Sequence, residues 1–303
     1  TTSSSDFQTE TGTLGLDYAW PLTEFQSVRM GLAAQRSDLF TDPNSSAAEA
    51  LYWVQNNGNT YTEVQYVGIP PIALTYYGTK FDTFEYSLGW SYDSRNRALF
   101  ADRGSRHRLS ASYALPFSDI DFVSFNYDYL QFVPVSKLFT LMFNSEAGYG
   151  QALGDTTSMP PYRRFFAGGP ETVRGYRESR MGPKDSFGNP YGGNIKFTNQ
   201  LELLLPMPAK WRNSARFSLF FDIGNTFSTD GARYLGRDLQ TPVEYKFKYS
   251  ELKQSAGIAL EWLAPSLGIF RFSYGVPLNK FNGDGVHFAD RTESFQFTVG
   301  QSF

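Results

Sequence analysis

Apolar and polar positions alternate with period 2 in eleven segments of the chain, near 11–20, 25–37, 80–93, 105–115, 121–133, 138–150, 194–205, 214–225, 249–263, 268–278 and 293–303. Successive side chains of a strand point to opposite faces, so each segment predicts a strand with two unlike sides. Most run to about 10–14 residues. Strands of soluble proteins average about 5–6 residues, whereas a tilted strand crossing a bilayer needs about 9–11. Length already favours a barrel in a membrane.

The faces agree. In 214–225, Ala215, Phe217, Leu219, Phe221 and Ile223 oppose Arg216, Ser218, Phe220 and Asp222. In 194–205, Ile195, Phe197, Leu201, Leu203 and Leu205 oppose Lys196, Thr198, Gln200 and Glu202. In 249–263, Leu252, Ala256, Ile258, Leu260 and Trp262 oppose Lys253, Ser255, Gly257 and Glu261. One greasy and one frankly polar face, repeated along the chain, is the pattern of an antiparallel barrel with lipid outside and a hydrated lumen inside. A soluble sandwich would use shorter strands and bury its apolar faces against each other.

Connections alternate too. Those near 38–79, 151–193, 226–248 and 279–292 are long, and most of the others are short. Outer-membrane barrels have short periplasmic turns and long extracellular loops, so the long set is expected outside the cell. Eleven strands would place the two chain ends on opposite sides, which predicts that upstream strands are missing and that 1–303 is the C-terminal part of a larger barrel. A twelfth strand within 56–78 is the alternative, opposed by Pro70-Pro71. Residues 45–55, SSAAEALYWVQ, read as a short helix. Its adjacent Tyr52 and Trp53 suggest that it rests at the lipid headgroups.

Composition removes other classes. Aromatics make up 17% and charged residues 19%, with a mean hydropathy of −0.37, and no window approaches the ~18 apolar residues of a spanning helix. A net charge of −3 gives no reason to expect a nucleic-acid partner. The absence of cysteine excludes a thiolate nucleophile, a disulfide scaffold and a Cys metal site. His107 shares a face with Leu109, Ala111 and Tyr113, and His287 lies in the last long loop, so neither sits in a catalytic or metal-binding constellation. No enzyme activity, cofactor or metal is expected. The opening TTSSSDFQTETG lacks the basic start and apolar centre of a secretory signal.

The loop at 163–193 is unusual. It is rich in glycine and proline yet carries Phe165-Phe166 and Val173-Arg174-Gly175-Tyr176, which suits a loop folded back on itself. A buried Arg174 needs acid, and Glu202 and Asp222 are the carboxylates on the polar faces of the next two strands. A simple hairpin register sets these two about five residues apart, roughly 17 Å at ~3.4 Å per residue. Arg174 would then hold Asp222 first, and Glu202 as well only if the register shifts. The other reading is that both carboxylates line a hydrated pore.

The stretch FFAGGPETVRGY…MGPK…YGGN, then QLELLLPMP, RFSLFFDIGNTF, SAGIALEWLAPSLGIFRFSYGVPLN and the terminal FQFTVGQSF, resembles in order the C-terminal barrel of the BamA family, within the outer-membrane assembly-factor superfamily. The likeness is dense over about 160–303 and weaker back to residue 10. The VRGY loop also occurs in relatives that assemble autotransporters or act in two-partner secretion. The spacing Gly182-Pro183…Gly192-Gly193 and the WLAPSLG turn favour BamA.

The resemblance implies a 16-stranded barrel of which about 11 strands are present here, preceded by five periplasmic POTRA domains. It implies an outer-membrane location and a role in folding and inserting other barrel proteins. Expected partners are outer-membrane lipid and lipopolysaccharide, nascent β-barrel clients and the lipoproteins of the assembly machinery. Val173, Arg174, Gly175 and Tyr176 match the family's loop motif, and Glu202 and Asp222 match its acidic partners. The last strand, with Phe295, Phe297, Val299 and Phe303 outward, would form the seam where a client strand adds edge to edge. Gly300 is expected to kink or bulge it. A passive porin is the rival of another class, and would require an open, conducting lumen.

Overall fold

A computed structural model describes residues 7–41, 47–211, 214–264 and 268–300. Its strands are β1 (Phe7–Pro21), β2 (Gln26–Thr41), β3 (Asn59–Val67), β4 (Ile72–Asp93), β5 (Gly104–Ala114), β6 (Phe122–Pro134), β7 (Thr140–Ala152), β8 (Gly175–Tyr176), β9 (Ile195–Leu204), β10 (Ala215–Phe227), β11 (Tyr234–Leu235), β12 (Pro242–Val243), β13 (Lys253–Ala264), β14 (Gly268–Pro277), β15 (Thr292–Glu293) and β16 (Phe295–Gly300). One helix, α1 (Ala48–Asn56), precedes β3. The wall is a single antiparallel path, β1-β2-β4-β5-β6-β7-β9-β10-β13-β14-β16. Among the described residues β1 and β16 are the two ends of this path.

The wall strands fall where alternation predicts them, with two changes. β4 spans 22 residues, and its first part rises beyond the wall as a hairpin with β3, in register from Asn59↔Lys80 to Val67↔Ile72. A strand therefore does lie within 56–78. Pro70-Pro71 sit in the turn, where neither needs to donate to the ladder. Because β3 lies off the path, the wall counts eleven strands among the described residues. The other change concerns Gly300, which pairs with Ile269 in an unbroken register running back to Tyr274↔Phe295. No bulge interrupts β16 up to that residue. Phe303 lies outside the described residues.

Outward positions carry the apolar residues. Leu219, Phe221, Ile258, Leu260, Trp262, Phe295, Phe297 and Val299 are all exposed, while Ser218, Asp222, Ser255 and Gln296 on the opposite face are buried by what fills the interior. The lumen is less uniformly wet than the pattern suggests. Leu39, Phe81, Ile120, Phe122 and Met159 form an apolar cluster inside the long-loop end. Phe132 and Leu204 form another near the short-turn end, covered by Ala101 of the β4–β5 connection.

Helix α1 caps the first cluster and does not rest at the membrane surface. Trp53 meets the inward-facing Phe81 edge-on at 5.8 Å, and its indole N–H donates to the Ser158 carbonyl at 3.0 Å. Tyr52 lies under the Arg233 guanidinium, 4.7 Å from its ring centroid. Both aromatics that suggested a lipid anchor are thus occupied by protein. The helix is also held by the buried Glu49 carboxylate, which accepts from the backbone N–H groups of Ser186 and Leu235 at 3.0 and 2.9 Å. Trp53→Phe keeps most of the packing but orphans the Ser158 carbonyl, an expected cost of about 1–3 kcal/mol. Hydrogen exchange should show faster opening confined to 47–58 and 157–159. Unchanged protection there would mean that the helix docks by other contacts.

Candidate functional site

The connection from β7 to β9 turns down into the barrel, and its tip, 170–176, lies against the inner wall. Arg174 is the centre. Its Nε and Nη2 donate to Asp222 Oδ2 and Oδ1 at 2.8 and 2.7 Å, a parallel pair, and its own backbone N–H donates to Oδ2 at 2.9 Å. Nη1 donates to Glu202 Oε1 in a very short bond. The other Glu202 oxygen accepts from Ser218 at 2.8 Å. Beneath the guanidinium lies the Phe220 ring, 3.6 Å from centroid to Cζ. Asp222 is fully buried and Arg174 is 4% exposed. Burial disfavours the charge on Arg174, but the Asp222 hydrogen bonds and both carboxylates outweigh it and hold the pKa above the ordinary arginine value.

The register explains how one arginine reaches both acids. Asp222 opposes Gln200 and Phe220 opposes Glu202. The carboxylates are therefore offset by two residues, about 7 Å at ~3.4 Å per residue, and not by five. A guanidinium with five donors on a rigid fork spans that gap while covering the ring between them. The shorter offset follows from the ladder itself, in which Leu204 faces Ser218 rather than the Ala215 that a symmetric hairpin would set opposite it.

Val173 and Tyr176 are fully buried and pack with Ala167 and Met181 within the loop. Gly175 has φ +83°, and a Cβ there would lie 3.1 Å from the Gly275 backbone of β14, so only glycine allows the loop this close to the wall. Residues Gly175 and Tyr176 pair as β8 with Glu293 and Thr292 of β15. Gln296 of β16 locks the same point, accepting from the Gly175 N–H at 3.3 Å and donating to the Tyr176 carbonyl at 2.7 Å. The Tyr176 hydroxyl donates to Asn279 at 3.2 Å. The loop therefore ties β10 to the final strand across the interior.

Of the residues singled out in the sequence, Arg174, Glu202 and Asp222 come together, and Val173, Gly175 and Tyr176 support them. Phe295, Phe297 and Val299 lie on the opposite, outer face of β16, with Phe297 stacked near Phe270 and Phe272. Sequence reading missed Phe220, Gln296 and Asn279. Phe220 carried a signal, as the single ring on an otherwise polar face.

A second buried pair went unread. Arg164 donates to Asp230 at 2.8 Å, both side chains fully buried, and to the Tyr234 hydroxyl at 3.0 Å. Burial pushes the Tyr234 hydroxyl up to about 12, so it stays a neutral partner. At the opposite end of the lumen, Arg216 of β10 donates to the Ala101 carbonyl at 2.8 Å. That contact folds the β4–β5 connection inward beneath the clamp, leaving a residual cavity of about 190 Å³ lined by both Ala98–Ala101 and the clamp residues Arg174 and Glu202. His107 lies in the outer aromatic belt with Tyr127 and Tyr129, and His287 bonds Asp284 in a loop. No group of three or more metal-ligating side chains occurs among the described residues.

The arrangement is a lipid-facing wall with an arginine-clamped loop inside, and the comparison with known families decides what kind. Residues 1–303 match the Omp85 superfamily domain. The chain belongs to the Omp85 superfamily. It is 33% identical, over its whole length, to the outer membrane protein assembly factor BamA of Neisseria meningitidis serogroup B, of which it covers 37%. It is 27% identical over 70% of its length to the SAM50-like protein CG7639 of Drosophila melanogaster, of which it covers 44%. This Omp85 chain thus spans less than half of either relative. Among solved structures it superposes on BamA from Haemophilus ducreyi lacking POTRA domains 1–3 with a TM-score of 0.78 and 24% identity, covering 98% of this chain and 55% of that one. That likeness is one of fold.

Proposed function

We propose that this Omp85 barrel works in the outer membrane as the membrane domain of an assembly factor, folding and inserting other β-barrel proteins. The observation that carries the reading is similarity, over the whole of this chain and 37% of the relative, to a protein of that name, in a barrel whose loop motif is clamped to the wall beside the last strand. On this reading residues 1–303 are the C-terminal part of the barrel, and the long loops face outside. A nascent strand in lipid has unpaired amides that cost several kcal/mol each. A free strand edge satisfies them.

β16 is the natural lender. Among the described residues it pairs with β14 on one side and with no wall strand on the other. Phe295, Phe297, Val299 and Gly300 would form that seam. Clients, outer-membrane lipopolysaccharide and assembly lipoproteins are the partners this role requires. No covalent chemistry is needed.

The interior argues against a passive porin, because the clamped loop and the inturned β4–β5 connection both occupy the lumen. The test is reconstitution of the full-length protein in proteoliposomes with an unfolded barrel client. The expected result is client folding at least tenfold faster than in empty liposomes, with no large steady conductance in planar bilayers. Steady conductance without client folding would overturn the reading.

A further inference from the structure

Most of the outer wall is a continuous apolar belt, but one area near the long-loop end is hollowed. The outward row Leu109, Tyr127, Ala147 and Phe197 crosses β5, β6, β7 and β9 in direct register. Ala147 is the one small side chain in that row. A trough opens over it, walled by Phe125, Tyr127, Tyr149 and Phe197. The segment leading back to β13 overhangs this trough from above. Phe247 meets Phe227 edge-on at 4.9 Å, and Tyr249 meets Phe247 at 5.1 Å. Phe227 is the last outward residue of β10 and would face lipid, yet this cover leaves it 2% exposed. The trough measures about 550 Å³, within the ~300–1,000 Å³ range of ligand sites.

Its chemistry selects the occupant. The lining is overwhelmingly apolar and continuous with the lipid-facing belt. The floor strands β6, β7 and β9 are hydrogen-bonded on both sides, so no free edge is offered to a peptide. Lys246 and Lys248 are exposed and flank Phe247 of the lining in sequence, Lys246 beside Glu244 at 2.9 Å and Lys248 without an ion pair among the described residues. An acyl chain below two cations describes a lipid with a polyanionic headgroup. On the orientation proposed above, on which this inference rests, the trough lies in the outer leaflet.

We propose that it binds one lipopolysaccharide molecule. One acyl chain lies over Ala147 beneath Phe247 and Tyr249, and a lipid A phosphate meets Lys248 and Lys246. This seats a lipid beneath the connection that leads into β13, the strand beside β10 and its Asp222.

The experiment is native mass spectrometry of the full-length protein purified in mild detergent from outer membranes, with retained lipopolysaccharide and phospholipid quantified. The wild type should retain about one lipopolysaccharide per protein. Ala147→Phe, which fills the trough, and Lys246→Glu/Lys248→Glu, which reverses the two charges, should each lower that at least fivefold while phospholipid stays unchanged. Heat-modifiable migration reports whether each barrel is folded. If Ala147→Phe fails to fold, Phe247→Ser, in the overhanging segment, decides by the same readout. A folded protein in the outer-membrane fraction whose lipopolysaccharide content ignores these variants overturns the site alone, as does a wild type holding phospholipid there. A wild-type protein absent from that fraction overturns the functional reading instead.

Discussion

Arg174→Ala should destabilise the folded barrel by about 3–5 kcal/mol, the range for removing one partner of a buried ion pair. The loss is large because the guanidinium is not merely attracted to its partners. It supplies two of the three donors that the fully buried Asp222 accepts from Arg174, and one donor to Glu202. Without it the Asp222 carboxylate keeps one backbone N–H and no cation within the lumen clamp. Arg174→Lys should recover little, since an ammonium cannot offer the parallel pair or lie flat on Phe220. Replacing all three groups together, Arg174→Met with Glu202→Leu and Asp222→Leu, should recover only part of the loss, because matched apolar groups often equal a buried ion pair but the backbone N–H at 174 and the Ser218 hydroxyl lose their acceptors. Urea midpoints of the folded, heat-modifiable form in liposomes measure all three. A loss below about 1 kcal/mol for Arg174→Ala, the worth of a surface pair, would mean that the clamp is solvated.

Gly175→Val should be the second most damaging change. A β-branched residue held at φ +83° costs about 1–3 kcal/mol in backbone strain. Its Cβ would also approach Gly275 to 3.1 Å, tighter than ordinary contact and against backbone that has no side chain to move aside, adding about 1–3 kcal/mol of overpacking. The expected result is a loop displaced from the wall, with the Gln296 bonds to Gly175 and Tyr176 broken together. Protease cleavage within 170–180 of the variant, where the wild type resists, would report it. Gly175→Ala should show the same effect more weakly. If both variants resist cleavage like the wild type, the close approach to Gly275 does not hold the loop.

The wall was legible because a lipid-facing strand has no choice in its pattern: every outward position from Phe217 to Ile223 must be apolar, whatever the loops do. Arg174, Glu202 and Asp222 stood out for the same reason, as charges where the interior has to neutralise them. Three features were not legible. The register that brings Glu202 within reach is set by which residue of β10 faces Leu204, which alternation does not encode. Trp53 looks the same in sequence whether it anchors in lipid or packs on Phe81, since both environments are apolar on one side and hydrogen-bonding on the other. The pairing of Arg164 with Asp230 joins residues sixty-six positions apart in two loops, and neither has a periodic neighbourhood to betray it.

Everything described depends on which side of the ribbon meets acyl chains. The chain has no cysteine, so single cysteines can be introduced at consecutive positions of β10 and spin-labelled in liposomes without background. Labels at Phe217, Leu219 and Phe221 should be accessible to oxygen and shielded from a water-soluble nickel chelate, whereas labels at Arg216 and Ser218 should show low oxygen accessibility. Five positions without that alternation, or with its phase reversed, would contradict the two-sided wall and the clamp built on its inner face.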